Sequence, residues 1–301
     1  MARHCYASGA CRALRLAHGP SRRVESRNAT RITDLVPELA PRIRRFGAVN
    51  WLGFWTLYLR EVRRFLKVSM QTVAAPVVTT LLFLAIFLLA LGAQQRHVGD
   101  IPYVEFLAPG LIMMAMAQNA FANTSSSLMI AKVQGNIVDV LMPPLSPAEF
   151  TWGFALGGVT RGVIVGLVVA ATMALFVPMH VALPGFALFH AFAASLLLSL
   201  LGVLGGIWAD KFDHIAAVTN FVVTPLSFLS GTFYSIERLP PLWHAIALWN
   251  PFFYMIDGFR YGFIGVADGP VWGGVAVMVG VNAALVALCH VLVARGYKLK
   301  A

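Results

Sequence analysis

Five stretches of the chain contain no Asp, Glu, Lys or Arg: residues 68–95, 106–131, 162–209, 214–236 and 269–294. About 20 apolar residues cross the hydrocarbon core of a bilayer as a helix. The run 162–209 is too long for one crossing, and Pro178 and Pro184 divide it. The pattern therefore predicts six spans, at 70–93, 107–131, 152–177, 186–209, 215–236 and 271–294.

Three segments between or beside these runs have a different pattern. In residues 50–67, Trp51, Phe54, Trp55, Tyr58, Val62, Phe65 and Leu66 recur at helical spacing, and Arg60, Glu61, Arg63, Arg64 and Lys67 supply a polar side. Aromatic and basic residues so arranged suit an amphipathic helix lying in the membrane interface, or one docked on protein. Residues 239–256 are also uncharged, but Pro240, Pro241 and the Asn250-Pro251 step leave two pieces too short to cross. They read as two half-helices dipping in from outside, shielded by protein. Trp249 stands at the hinge, and Asp257 and Arg260 follow. The connection 132–149 is longer than a turn needs. Ile137 to Met142 is apolar enough for a short helix with an exposed hydrophobic face. Pro143, Pro144 and Pro147 stop it, since proline cannot continue a helix.

Two features lie inside the spans. Gly153, Gly157, Gly158, Gly162 and Gly166 form linked small-xxx-small steps on the third span. Such a face permits close backbone approach, either within one subunit or between two. Gly202 and Gly206 make a shorter stretch of the same kind. Arg161 sits on the third span as well, inward of its expected start. A charge there is either a functional group facing protein or an arginine snorkelling to the headgroups.

Composition supports the membrane reading. The chain of 301 residues is 58% hydrophobic and 12% charged, where a soluble domain averages about 25% charged. Fourteen of the 23 Lys and Arg fall in residues 1–67. This basic flank before the first span argues for a cytoplasmic N-terminus, and six spans return the basic C-terminus to the same side. Nucleic-acid binding is not expected, because no basic stripe is interleaved with aromatics. Residues 1–45 are polar and arginine-rich without an apolar core. They read as a disordered tail, not a cleaved leader, ahead of a membrane domain at 46–301. Cys5, Cys11 and Cys289 make no disulfide framework. No Gly-x-x-x-x-Gly-Lys-Ser/Thr phosphate loop, Gly-x-Ser-x-Gly elbow or His-Glu-x-x-His pair occurs, so neither a catalytic nor a metal site is expected.

Residues 50–296 resemble the permease subunit of ABC-2 type ATP-binding-cassette exporters. The resemblance rests on five stretches in order: Trp55 to Phe65, Phe106 to Gly110, Val133 to Leu145, Pro225 to Tyr234, and Trp249 to Phe253 with Asp257 to Arg260. It implies an all-α integral membrane fold of six spans, with an N-terminal interfacial helix and short re-entrant outer helices between spans five and six. It also implies a multi-pass protein of the bacterial inner membrane, both termini cytoplasmic, paired as a homodimer and served by a separate cytoplasmic ATPase. That partner would use the ATP and Mg; this chain would bind no cofactor. By the resemblance, Lys132, Gln134, Gly135, Asn136, Ile137, Asp139, Leu141, Pro143 and Pro144 belong to the loop that couples to the ATPase. Trp55, Arg60, Glu61 and Arg64 belong to the interfacial helix. Trp249, Asn250, Pro251, Asp257 and Arg260 belong to the outer re-entrant segment. Relatives often carry acidic residues around the loop glycine, whereas this chain has Lys132 and Gln134 before Gly135 and only Asp139 after it. The substrate class implied is a lipid, glycan or drug-like molecule. The competing expectation is a gradient-driven transporter or channel, which calls for polar residues at midplane and an inverted repeat. Arg161 is the one charge in a span that fits it.

Overall fold

The computed structural model describes residues 49–90, 97–98, 101–236 and 239–299. The expected tail at 1–45 lies outside these residues, as do Arg96, Arg238 and Lys300. The regular structure of the described residues is helical apart from one two-stranded pair. Helix α1 is Trp51–Leu66, and a π-helical turn, Met70–Ala74, leads into α2, Ala75–Ala90. Strands β1, His97–Val98, and β2, Ile101–Pro102, pair antiparallel with Val98 opposite Ile101. Then come α3, Tyr103–Val133, the short α4, Ile137–Leu141, α5, Pro147–Met173, and α6, Pro184–Trp208. Helix α7 runs Phe212–Thr232 through alternating α and π turns. Helices α8, Pro241–Trp249, α9, Pro251–Ile264, and α10, Val271–Ala294, complete the chain.

Among the described residues six helices are long and apolar enough to cross a membrane, which agrees with the expected count. Their ends differ from the sequence expectation. The fifth span occupies 212–232 rather than 215–236, because the chain leaves helical geometry at Gly231, with φ +78°. Helix α5 starts at Pro147 rather than near residue 152, because Ser146 caps it. The Ser146 hydroxyl accepts from the Glu149 backbone N–H at 3.2 Å, and Glu149 Oε2 accepts from the Ser146 N–H at 2.7 Å. This reciprocal pair satisfies orphan donors and fixes the start.

Helix α3 is the centre of the bundle. Its most apolar window is 89% buried, against 17% for the windows of α2 and α10. Those two therefore present apolar flanks that a bilayer would solvate, while α3 is enclosed by α5, α6 and α9. Small residues make the enclosure possible. A side chain added at Gly202 would meet Thr124 Oγ1 and, at 2.6 Å, the Phe121 carbonyl. Hydroxyls then bond across the close approach: Thr124 Oγ1 donates to the Ser199 carbonyl and Ser199 Oγ to the Ala155 carbonyl, both at 2.8 Å. Helices in lipid are held by such packing and bonding rather than by a hydrophobic effect between them.

The five glycines of α5 do not share one partner. Gly153 and Gly157 face Leu57 and Glu61 of α1, whereas Gly158 and Gly162 face both α3 and the Ser199 and Ser195 hydroxyls of α6, and Gly166 faces Met116 of α3. All five are used for packing within this one chain.

Candidate functional site

Gly135 opens the connection after α3 with a positive φ. Glycine enters this left-handed conformation without strain. Helix α4 follows. Ile137 and Val140 turn inward and pack in the cluster that contains Leu128 and Phe150. Val138, Leu141 and Met142 face outward, Met142 being 76% exposed. Gln134, Asn136, Asp139, Pro143 and Pro144 are exposed beside them. The outward apolar face is thus made by Val138, Leu141 and Met142, and Ile137 is part of the core.

Lys132 is used differently from the rest of the loop. Its Nζ donates to the carbonyls of Gly206, Ile207 and Ala209 at 3.3, 2.9 and 2.5 Å. Carbonyls in the last turn of a helix lack intrahelical partners and draw cations. Lys132 therefore clasps the end of α6. Asp210 lies 3.9 Å from Lys132 and accepts from Lys298 Nζ at 2.8 Å. The Lys298 ammonium holds the Asp210 carboxyl below the usual carboxylate range, and the same bond raises Lys298.

Helix α1 docks on α5 with Leu57 at Gly153 and Glu61 at Gly157, Phe65 is buried as well, and Trp51 and Trp55 stay exposed. Glu61, expected on the polar side, is instead fully buried. Gly157 leaves room for its stem, and two arginines neutralise it: Arg60 Nη2 at 3.1 Å and Arg64 Nε at 3.3 Å. Arg64 Nη2 also donates to the Asn123 carbonyl at 2.7 Å and to its Oδ1 at 2.9 Å, joining α1 to α3. At its start α1 is tied to α5, because the Asn50 backbone N–H donates to Glu149 Oε1 at 2.6 Å. A groove of about 830 Å³ opens here. Arg60, Arg63, Arg64 and Lys67 form one wall, and Ser127, Ile130, Gln134 and Asn136 form the other.

Arg161 lies at the middle of α5, deeper than expected because that helix starts earlier. Its guanidinium is directed at α3 and not along the helix toward an end: Nη2 donates to Asn119 Oδ1 at 3.1 Å. Nε has no hydrogen-bond partner. No carboxylate among the described residues forms an ion pair with it.

At the opposite end, α8 and α9 meet at Asn250. Its Oδ1 accepts from the Phe252 N–H at 3.0 Å, capping α9, and its Nδ2 donates to Ser230 Oγ at 2.9 Å. Trp249 is exposed, but Asp257 and Arg260 are buried. Arg260 donates through Nε to the Phe106 carbonyl at 3.2 Å and through Nη2 to the Gly231 carbonyl at 2.6 Å. Its Cζ sits 3.7 Å from the centre of the Phe106 ring. Asp257 accepts from the backbone N–H groups of Asp268 and Gly269 at 2.8 and 3.1 Å. The two charged residues thus clasp α9 to α3, to the end of α7 and to the loop before α10.

The profile of the ABC-2 type transporter family matches residues 53–264, from α1 to the end of α9. The chain belongs to the ABC-2 type transporter family. It is 38% identical over 250 residues to the inner membrane transport permease YadH of Escherichia coli K12, covering 83% of this chain and 98% of that protein. It is also similar to nodulation protein J of Sinorhizobium fredii NGR234, 26% identical over 251 residues, 78% of this chain and 89% of the relative. Nodulation protein J of Rhizobium leguminosarum bv. viciae is 23% identical over 220 residues, 73% and 84%. The protein is accordingly a multi-pass inner-membrane transport permease.

Several residues that organise this ABC-2 permease carried little signal in the sequence. Asn119 and Asn123 look like tolerated amides in an apolar run, yet they are the α3 partners of Arg161 and Arg64. Their spacing of four places both on one helix face, which is the signal that could have singled them out. Ser146 and Glu149 show the capping-box spacing openly, and reading it would have set the start of α5.

Proposed function

We propose that this permease is the membrane half of an ATP-driven exporter and that a separate cytoplasmic ATPase docks on α4. The observation that carries the reading is the outward apolar face of Val138, Leu141 and Met142 on a short helix held between Gly135 and the Pro143-Pro144 stop. A soluble partner can push on such a helix, and Ile137 and Val140 root it in the bundle. The chain has no phosphate loop of its own, so nucleotide and Mg are handled by the partner. Two copies pair to enclose the transport path, and nucleotide acts by favouring one arrangement of the pair over the other. The cargo is a lipid, glycan or drug-like molecule.

Co-purification tests the docking. Val138→Asp combined with Leu141→Asp puts unpaired charge on the docking face, which costs several kcal/mol once that face is covered. The expected result is loss of the ATPase from the purified complex, with membrane insertion unchanged. Full assembly and full transport-stimulated ATP turnover in the double variant would defeat the assignment.

In this reading α4 and both termini are cytoplasmic, and α8 and α9 lie outside as re-entrant helices. Single cysteines at Leu242 and Trp249, both exposed, should react with a membrane-impermeant maleimide added to intact spheroplasts, the native cysteines having been replaced. Reaction at these positions only when the reagent reaches the cytoplasmic face would reverse the orientation.

A further inference from the structure

We infer that the groove between α5, α6 and α10 holds one acyl chain of an anionic phospholipid, with the phosphate at its mouth beside His290 and Arg295. The leaflet is the one on the α4 side, where Leu299, Ile137 and Phe150 share a cluster. That side is cytoplasmic in the orientation proposed above, but the binding does not depend on the orientation.

Shape is the first ground. The groove has a volume of about 550 Å³. Ala148 on one wall and Ala283, Ala287 and Val291 on the other are exposed along it, so a bilayer reaches it from the side. Its α10 wall runs from Asn282, at the middle of that helix, to Val291 near the end. Nine residue steps separate the two, a rise of about 14 Å. That is close to half of a hydrocarbon core about 30 Å thick, the length of one chain in one leaflet. The polar side chains within are bonded to backbone. Thr151 Oγ1 donates to the Pro147 carbonyl at 2.8 Å, and Asn282 Nδ2 donates to the Ala193 and Met278 carbonyls at 3.1 and 2.8 Å. With Leu196 and Val286 beside them, the depth of the groove suits a hydrocarbon chain and offers a charged group nothing.

Charge at one end is the second ground. His290 lines the groove and is exposed, and Trp152 stands on the facing wall. Each side chain offers an N–H, and tryptophan belongs at the level of the headgroups. Arg295 caps α10 in helical conformation, its N–H bonded to the Val291 carbonyl at 3.0 Å. It therefore stands one turn beyond Val291 on the face that lines the groove. Arg295 is exposed and has no ion-pair partner among the described residues. No acidic side chain lines the groove. Glu149, next to Ala148, is buried and accepts from the backbone of Asn50 and Ser146. A guanidinium so placed favours phosphate, which it grips by paired hydrogen bonds. A two-fold contact between copies through this face would instead put two Arg295 in one interface, with no carboxylate from the groove to meet them.

The test uses the purified full-length permease in neutral detergent. Phosphatidylglycerol and phosphatidylcholine with the same chains are titrated in, and native mass spectrometry counts the lipids held per chain. The expected result is a saturable site that prefers phosphatidylglycerol about fivefold, the effect of one basic residue beside an anionic headgroup. Arg295→Gln should abolish that preference and leave phosphatidylcholine binding unchanged. Arg295→Lys, which keeps the charge, should retain it. Ala287→Phe fills the groove at an exposed position and should remove the site for both lipids. Gel filtration and the lipid-free thermal midpoint report whether each variant folds. Arg295→Gln changes an exposed side chain, so it carries the test if Ala287→Phe does not fold. Equal affinity for the two lipids, an undiminished preference in Arg295→Gln, or an unchanged lipid count in folded Ala287→Phe each overturns the proposal. So does conversion of a dimer to a monomer by Ala287→Phe at unchanged lipid count, which makes the groove a contact between copies. No ATPase or nucleotide enters the binding measurement, so its failure leaves the α4 docking experiment standing.

Discussion

Replacing Arg260 with leucine is expected to lower the unfolding free energy of the permease by about 3 kcal/mol. The buried guanidinium donates to the carbonyls of Phe106 and Gly231 and lies against the Phe106 ring. A hydrogen bond from a charged donor contributes about 1.5–3 kcal/mol, and a desolvated cation over an aromatic ring about 2 kcal/mol. The apolar surface of leucine returns part of this, which is why the expected loss stays below the sum. The Gly231 carbonyl has left regular helical geometry, so it loses a partner that no helix turn replaces. Arg260→Lys restores charge without the planar fork and should recover about half the loss. Denaturant titration in detergent micelles measures both. A leucine variant within about 0.5 kcal/mol of the parent, the range of an ordinary surface change, would show that the clasp between α9, α3 and α7 holds nothing.

Glu61→Ala is the second large effect, expected to cost about 2–4 kcal/mol. The fully buried carboxylate bonds Arg60 and Arg64 where α1 crosses Gly157. Removing it leaves two guanidiniums without a counter-charge. The two arginines remain partly exposed, with side chains 44% and 30% accessible, so water limits the cost to below that of a wholly buried pair. Glu61→Gln keeps the volume and a hydrogen-bond acceptor and should lose less. A double-mutant cycle between Glu61→Ala and Arg64→Ala isolates the pair, and a coupling above about 1 kcal/mol is expected for residues in one network. A coupling near zero would make α1 a helix held by Leu57 and Phe65 alone.

The sequence by itself determined the membrane class, the number of spans and the three special segments. Uncharged runs of sufficient length have one stable solution in a bilayer, a helix that satisfies its own backbone. Pro240, Pro241 and Asn250-Pro251 divided the outer segment, and α8 and α9 end and begin at those residues. Gly135 and Pro143 bounded α4 for the same local reason. Glycine and proline free or restrict the backbone without regard to distant neighbours.

Only the tertiary structure decided which side of each helix is used. Periodicity showed that α1 is amphipathic but placed Glu61 with the solvated charges. The glycine that makes room for it, Gly157, stands on another helix, and no window along the chain joins the two. Composition marked Arg161 as a charge within a span, yet whether it snorkels or binds depends on where Asn119 of another helix stands. Lys132 looked like a contact for a partner and instead caps α6, because the carbonyls it meets belong to a helix far along the chain. Arg260 could be placed in the outer segment from the sequence but not assigned a partner; it is buried because Phe106 and Gly231 supply the carbonyls and the ring that make burial possible. Span and turn propensities act over neighbouring residues and are legible one window at a time. Burial of a charge depends on partners brought together by the fold, and in this permease those partners are distant in sequence.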